Sequence, residues 1–221
     1  MKRIYLHPIP VRLWHWINAA GFIILILTGI QIRYSNIVKL FSFETAVDIH
    51  SWTGFILIAN YFIWLFYYLL TLKIRIYIPP LHHPIEFAKK ALRQAKFYGF
   101  GIMVGEQNPH HPAPDNKFNP MQQMSYIMIM TLLIPVQIVT GLLLWDPKLF
   151  SGLVNLVGGI QIIDTIHVLL FIFFSAFIVV HFYLATLGHT TFAHFKAMFT
   201  GYEEEEEEHG HSEEHGHSHG H

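Results

Sequence analysis

The chain has 221 residues, of which 52% are hydrophobic and only 13% are charged, and its formal net charge is −1. Soluble globular domains carry roughly 25% charged residues, so this composition favours a membrane protein. The absence of cysteine excludes disulfides, iron–sulfur clusters, thiolate-bound haem and covalently attached haem. Seventeen histidines are present, so any metal chemistry must use imidazole or oxygen ligands.

Four apolar stretches are long enough to cross a bilayer, which takes about 20 helical residues. They predict membrane spans at residues 13–32, 49–72, 124–145 and 160–187. The first stretch is too long for a cleavable signal peptide, and no small-residue cleavage site follows it. We therefore expect an all-α membrane protein whose four-helix bundle occupies residues 1–201.

Residues at the predicted helix ends support these spans. Pro8 and Pro10 precede span one, where proline is tolerated because the first N–H groups of a helix have no partner. Ser42 is a candidate N-cap for a helix with Glu44 in its first turn. Pro135 interrupts span three and predicts a kink.

Two segments outside the spans have distinctive compositions. Residues 85–97 are basic and amphipathic, which predicts a cytoplasmic helix that either lies on anionic lipid or is an ordinary solvated helix. Residues 202–221 are acidic, rich in histidine and low in complexity, so we expect a disordered tail. This tail is a candidate weak metal-binding tract or an artefact, and we assign it no part in the main function.

The orientation follows from lysine and arginine, which favour the cytoplasmic side. Basic residues are concentrated before span one and between spans two and three: Lys2, Arg3, Arg12, Lys73, Arg75, Lys89, Lys90, Arg93, Lys96 and Lys117. The opposite side carries only Arg33, Lys39 and Lys148. We expect both termini, and the connection between spans two and three, in the cytoplasm.

Four histidines lie inside the predicted spans, where ionisable groups are costly and usually functional. His167 and His181 are fourteen residues apart on span four, which separates them by about 21 Å along the helix. Both point to nearly the same side, because fourteen steps of about 100° almost complete four turns. The alternating span directions then place His15 beside His181 near the cytoplasm, and His50 beside His167 near the outer side.

Two histidine pairs at two depths fit two stacked haems b, since helical bundles hold haem between facing side chains. The alternative is that these histidines bond only to backbone or lipid headgroups. Arg12 precedes His15 by one turn and is a candidate partner for a haem propionate, or simply a cytoplasmic anchor. With both axial positions filled, electron transfer is favoured over chemistry at the iron.

Several motifs carry a resemblance to a known superfamily. They are PVRLWHW at 10–16, LTG at 27–29, IHSWTG at 49–54, KFNPMQQMSY at 117–126 and IH…VHFYLAT across 166–186. Together they resemble the dihaem cytochrome b subunits of membrane-bound formate dehydrogenases, nickel–iron hydrogenases and thiosulfate reductases. The resemblance implies the same histidine pairing. It also implies a quinone site beside the cytoplasmic-side haem, at Asn119, Met121 and Gln122 together with His181.

The expected function is that of a membrane-anchoring subunit without a catalytic residue of its own. Electrons would pass between menaquinone or ubiquinone and an outer-face, periplasmic iron–sulfur or multihaem subunit that carries the other catalytic site. Membrane lipid is the remaining partner, and we expect no nucleic-acid partner. A transition-metal transporter and a stand-alone quinone-linked cytochrome are the alternatives. The transporter is disfavoured because no Asp or Glu lies mid-membrane in any span.

Overall fold

Long apolar helices form most of the structure, because a helix satisfies its own backbone hydrogen bonds without water. The computed structural model describes residues 2–79, 82–110, 118–186 and 192–205. In chain order, the strands and α-helices are β1 (Lys2–Tyr5), α1 (Ile9–Arg33), α2 (Phe43–Leu70), α3 (Pro84–Gly99), α4 (Pro120–Met128), α5 (Ile134–Trp145), α6 (Ser151–Val157), α7 (Ile160–Ala185), α8 (Ala193–Thr200) and β2 (Tyr202–Glu205).

Four helices in the described part of the chain are long and apolar enough to cross a membrane: Ile9–Arg33, Phe43–Leu70, Pro120–Trp145 and Ile160–Ala185. The four predicted spans are therefore confirmed as helices, and a further helix, α3, lies where the sequence predicts one between spans two and three. Span two begins six residues before the predicted start. It begins there because the Ser42 side chain accepts a hydrogen bond from the Thr45 N–H at 3.1 Å.

Span three is irregular at the predicted proline. A π-helical segment, Ile129–Leu133, joins α4 to α5 immediately before Pro135. Proline has no N–H to give to the carbonyl of Thr131, four residues earlier. The π-helical turn accommodates the loss of this hydrogen bond. The irregularity that the proline causes is therefore a local change from α-helix to π-helix.

The bundle consists of two closely packed helix pairs, α1 with α2 and α5 with α7, which approach one another less closely, mainly between α2 and α5. Gly21 allows the first pair to pack tightly, because a Cβ there would lie 2.6 Å from Cδ2 of Leu57. An aromatic-rich core closes one end of the bundle, with Trp64, Tyr68, Tyr77, Ile129, Met130 and Phe174. A smaller core at the other end contains Leu143, Val154 and Ile163.

The two chain ends meet in a small antiparallel sheet. β1 pairs with β2, with Tyr5 opposite Tyr202. The N–H groups of Leu6 and His7 donate to the carbonyl of Gly201 at 3.0 and 3.1 Å. Gly201 has φ +89°, a conformation that glycine adopts without strain. The expectation of a disordered tail from residue 202 onwards is therefore wrong for residues 202–205, which form β2. Residues 206–221 lie outside the described residues.

Candidate functional site

His15 of α1 and His181 of α7 face one another across the bundle. Their ring centres are 6.2 Å apart and the rings are inclined by 47°. A metal ion held between two imidazoles separates the ring centres by about 6 Å, because each metal–nitrogen bond is about 2 Å long. The spacing of these two rings therefore fits a shared iron.

Aromatic side chains hold the two rings of this pair in place. Phe177 stacks on His181 with ring centres 5.7 Å apart, and Trp16 contacts the His15 ring edge-on at 5.1 Å. Trp16 also donates its indole N–H to the Met198 carbonyl at 3.2 Å, which ties α1 to α8. The His15 end of α1 is therefore fixed by packing as well as by its own helix.

Arg12, the predicted propionate partner, lies one turn before His15 and also contacts α8. Its guanidinium donates a hydrogen bond to the carbonyl of Phe199, near the C-terminal end of α8. A cation at that end is favoured by the helix dipole. The Nε atom of Arg12 is buried and has no hydrogen-bond partner among the described residues. A haem propionate is an acceptor that would suit this donor, so Arg12 fits the predicted role.

His50 of α2 and His167 of α7 form the second pair. The two imidazoles are close enough to interact electrostatically. A Cβ added at Gly29 would lie 3.5 Å from Cε1 of His50 and 3.9 Å from Cδ2 of Phe171, which follows His167 by one turn. The structure therefore brings together the same partners that the span directions predict.

Each histidine of this second pair is bonded to a threonine of a neighbouring helix. The hydroxyl of Thr28 lies 2.9 Å from Nδ1 of His50, and the hydroxyl of Thr140 lies 2.9 Å from Nδ1 of His167. Sequence reasoning missed both threonines as site residues. The signal that could have found them is a repeated Thr-Gly dipeptide near the predicted outer ends of spans one and three, at 28–29 and 140–141.

The predicted quinone residues form the N-terminus of span three. The Asn119 side chain accepts from the Gln122 N–H at 2.9 Å, and the Gln122 side chain accepts from the Asn119 N–H at 3.0 Å, forming a capping box. The amide nitrogen of Asn119 donates to the Tyr98 hydroxyl at 3.0 Å, and burial raises the pKa of Tyr98. Asn119 is only 2% exposed, whereas Met121 is half-buried. The quinone contact stays a prediction, and Asn119 also has a structural role.

Within the described residues, neither histidine pair belongs to a larger ligand set. Among the residues that the structure describes, no group of three or more His, Cys, Asp or Glu side chains is placed to hold a metal ion. A structural zinc site takes four protein ligands and a catalytic one takes three. Two imidazoles at each site instead suit haem iron, to which the porphyrin supplies the other ligands.

A four-helix membrane bundle with paired histidines between its helices has the architecture of an integral membrane cytochrome. The chain belongs to the prokaryotic cytochrome b561 family, which it matches over residues 6–201. It is thus a membrane cytochrome of the b561 type, and the family implies haem b as its cofactor.

Three relatives agree with this assignment. The chain is 34% identical over 206 residues to a protein of Escherichia coli (strain K12) named as the cytochrome YdhU, covering 91% of this chain and 75% of that protein. It is 24% identical to a Cupriavidus necator protein named as a Ni/Fe-hydrogenase B-type cytochrome subunit, with 84% and 80% covered. A Rhizobium leguminosarum bv. viciae protein of the same name is 26% identical, with 83% and 81% covered. No solved structure gives a significant match.

Proposed function

We propose that the chain is a dihaem cytochrome b subunit that carries electrons between a membrane quinone and a redox partner on the outer face. The observation that carries this proposal is the 6.2 Å spacing of the His15 and His181 rings. A second pair, His50 and His167, is close enough to interact electrostatically. A haem iron with two imidazole ligands exchanges single electrons and has no open position for a substrate. The bundle of residues 1–201 would therefore bind and orient two haems at two depths in the membrane.

The partner and the quinone follow from different observations. Relatives named as hydrogenase cytochrome subunits support a redox-enzyme partner, and an outer-face iron–sulfur or multihaem subunit would suit the predicted outer-side haem. Asn119 and the side-chain oxygen of Gln122 are bonded in the capping box, so we expect Met121 and the side-chain nitrogen of Gln122 to contact the quinone. The chain would lie in a prokaryotic inner membrane with both termini in the cytoplasm and residues 206–221 as a disordered tail.

The composition and exposure of helix α3 support a position at the cytoplasmic surface of the membrane. Ile85 and Leu92 are seven residues apart and about 70% exposed each, and Lys89 and Arg93 lie on the same helix. An amphipathic helix with exposed apolar residues and basic neighbours suits an anionic lipid surface. We propose that α3 lies at the cytoplasmic headgroups and covers the start of span three.

The test is a pyridine haemochrome assay with a redox difference spectrum on detergent-purified protein. We expect two haems b per chain with low-spin bands. His15→Ala and His167→Ala should each leave about one haem, because each removes one ligand pair, whereas His82→Ala, an exposed histidine outside the spans, should leave two. No haem in folded protein, together with zinc or nickel transport, would establish the transporter alternative. Purification without any redox partner subunit would instead favour the stand-alone cytochrome.

A further inference from the structure

The two hydroxyl contacts at the His50 and His167 pair fix where the protons lie. The Thr28 hydroxyl is 2.7 Å from the Ile24 carbonyl of its own helix, and the Thr140 hydroxyl is 2.8 Å from the Val136 carbonyl. A threonine hydroxyl has one proton to donate. A threonine inside a helix usually gives this proton to the carbonyl three or four residues earlier, so we assign it to the Ile24 and Val136 carbonyls.

The threonine oxygen must then accept a hydrogen bond from the imidazole. Nδ1 of His50 and Nδ1 of His167 therefore each carry a proton, and each Nε2 keeps a lone pair. The side chain of Gln137 lies 3.2 Å from His167 Nε2, the nitrogen left to bind iron, so it would move aside when the haem binds. The lone pair of each imidazole thus lies on the ring nitrogen that is turned away from its threonine.

The backbone beside each threonine also restricts the ring. Gly141 follows Thr140, and a Cβ at Gly141 would lie 3.2 Å from Cε1 of His167. Gly29 follows Thr28 and has the corresponding place beside His50. Each Thr-Gly pair therefore provides a hydrogen-bond acceptor for Nδ1 and a side-chain-free surface against which the ring packs.

We propose that Thr28 and Thr140 are positioning residues that hold His50 and His167 in the Nδ1–H tautomer and make them stronger iron donors. The inference rests on the proposed function, because it takes these two histidines as the axial ligands of the outer-side haem. A ligand histidine that donates its other N–H becomes more basic, and this stabilises the oxidised metal. His181 stacks on Phe177 and has no such hydroxyl partner within the described part of the chain. The outer-side haem is therefore the one whose potential these threonines lower.

The experiment is an optical redox titration of the full-length purified cytochrome, with low-spin electron paramagnetic resonance as a second readout. Thr28→Val and Thr140→Val keep the side-chain shape and remove the acceptor. At a fixed solution potential, each variant should have a ratio of reduced to oxidised outer-side haem that is about three- to tenfold higher than in the wild type. That change corresponds to an upward shift of about 30 to 60 mV for a one-electron couple. The other haem should not change.

Two further variants separate hydrogen bonding from packing. Thr28→Ser and Thr140→Ser keep the hydroxyl and should restore the wild-type potential. Thr131→Val is the matched control, since the Thr131 hydroxyl bonds to the Ile127 carbonyl of its own span at 2.6 Å and, among the described residues, to no histidine. Loss of the outer-side haem in the valine variants, with retention in the serine variants, would also support the proposal.

Two results would overturn the proposal. One is an unchanged potential in both valine variants that retain two haems. The other is a shift of equal size in the Thr131→Val control. Failure of the proposed function is distinct, because wild-type protein would then contain no pair of low-spin haems to titrate.

Discussion

Single glycines decide how closely the backbone packs against the histidine rings of the outer-side pair. An added Cβ would lie 3.2 Å from His167 Cε1 at Gly141, but 3.5 Å from His50 Cε1 at Gly29. The first distance is tighter than usual, whereas the second is an ordinary van der Waals contact. Since packed interiors transmit such shifts, the same substitution should have different effects at the two positions.

We predict that Gly141→Ala disturbs the outer-side haem and that Gly29→Ala leaves it nearly unchanged. The alanine at 141 must displace the His167 ring by a few tenths of an ångström, which weakens its ligation. The measurement is the haem-to-protein ratio with the low-spin signal of each variant after expression with limiting haem. Equal losses in both variants would contradict the steric argument.

The histidines of the candidate site could be predicted from the sequence, but the threonines bonded to them could not. The four histidines stand out because they are ionisable groups in apolar spans, and their depths suffice to pair them. Thr28 and Thr140 do not stand out, because threonine is common in helices and often bonds to its own backbone. Their histidine partners are 22 and 27 residues away, so the contacts depend on how the helices cross.

One buried side chain holds the loop that connects helices α1 and α2. Gln31 is 2% exposed, and its amide oxygen accepts from the N–H groups of Leu40 and Phe41 at 3.1 Å each. Its amide nitrogen donates to the Phe41 carbonyl at 2.7 Å. Three backbone groups of the loop therefore depend on Gln31, which connects the end of α1 to the start of α2.

We predict that Gln31→Leu loosens this loop without removing the helices. Each hydrogen bond lost costs about 0.5–1.5 kcal/mol, so the amides of Leu40 and Phe41 should exchange with solvent up to about tenfold faster. Hydrogen exchange of the detergent-solubilised protein measures this rate. Gln161→Leu is the control, because Gln161 is exposed and its side chain makes no such bridge. Unchanged exchange at Leu40 and Phe41 would show that Gln31 does not hold the loop.

The ends of the elements were harder to predict than their centres. Apolar runs fix the middle of each span, but α1 begins at Ile9, four residues before its apolar run, because Pro10 is tolerated in the first turn. Span three begins at Pro120 because of the capping box at Asn119. The short elements α8 and β2 were missed altogether. Their stability comes from contacts with the N-terminal segment, and no local pattern reveals such contacts.

For the whole molecule, the contacts between the chain ends constrain the topology. β1 pairs with β2, and Trp16 and Arg12 of α1 both donate to carbonyls of α8. Residues 2–5 and 202–205 therefore lie at the same end of the bundle. An even number of spans requires the same arrangement. The distribution of basic residues predicts that this end lies in the cytoplasm.

The natural absence of cysteine allows a direct test of this orientation, since each single-cysteine variant contains one thiol only. We predict that Lys39→Cys and Asn155→Cys react with a membrane-impermeant maleimide in intact cells, after permeabilisation of any outer membrane. Arg93→Cys and Lys196→Cys should react only after the inner membrane is opened. All four positions are exposed, so burial does not limit labelling.

The reverse labelling pattern would show that the protein has the opposite orientation in the membrane, with the His15 and His181 pair on the outer side. It would leave the pairing of the histidines intact, because pairing depends on the relative directions of the spans. It would also move the predicted quinone residues to the outer side and the redox partner to the cytoplasm. A mixed pattern, with Lys39→Cys and Asn155→Cys on opposite sides, would contradict the four-span topology itself. The labelling thus tests separately the number of spans and their direction, on which the proposed electron path depends.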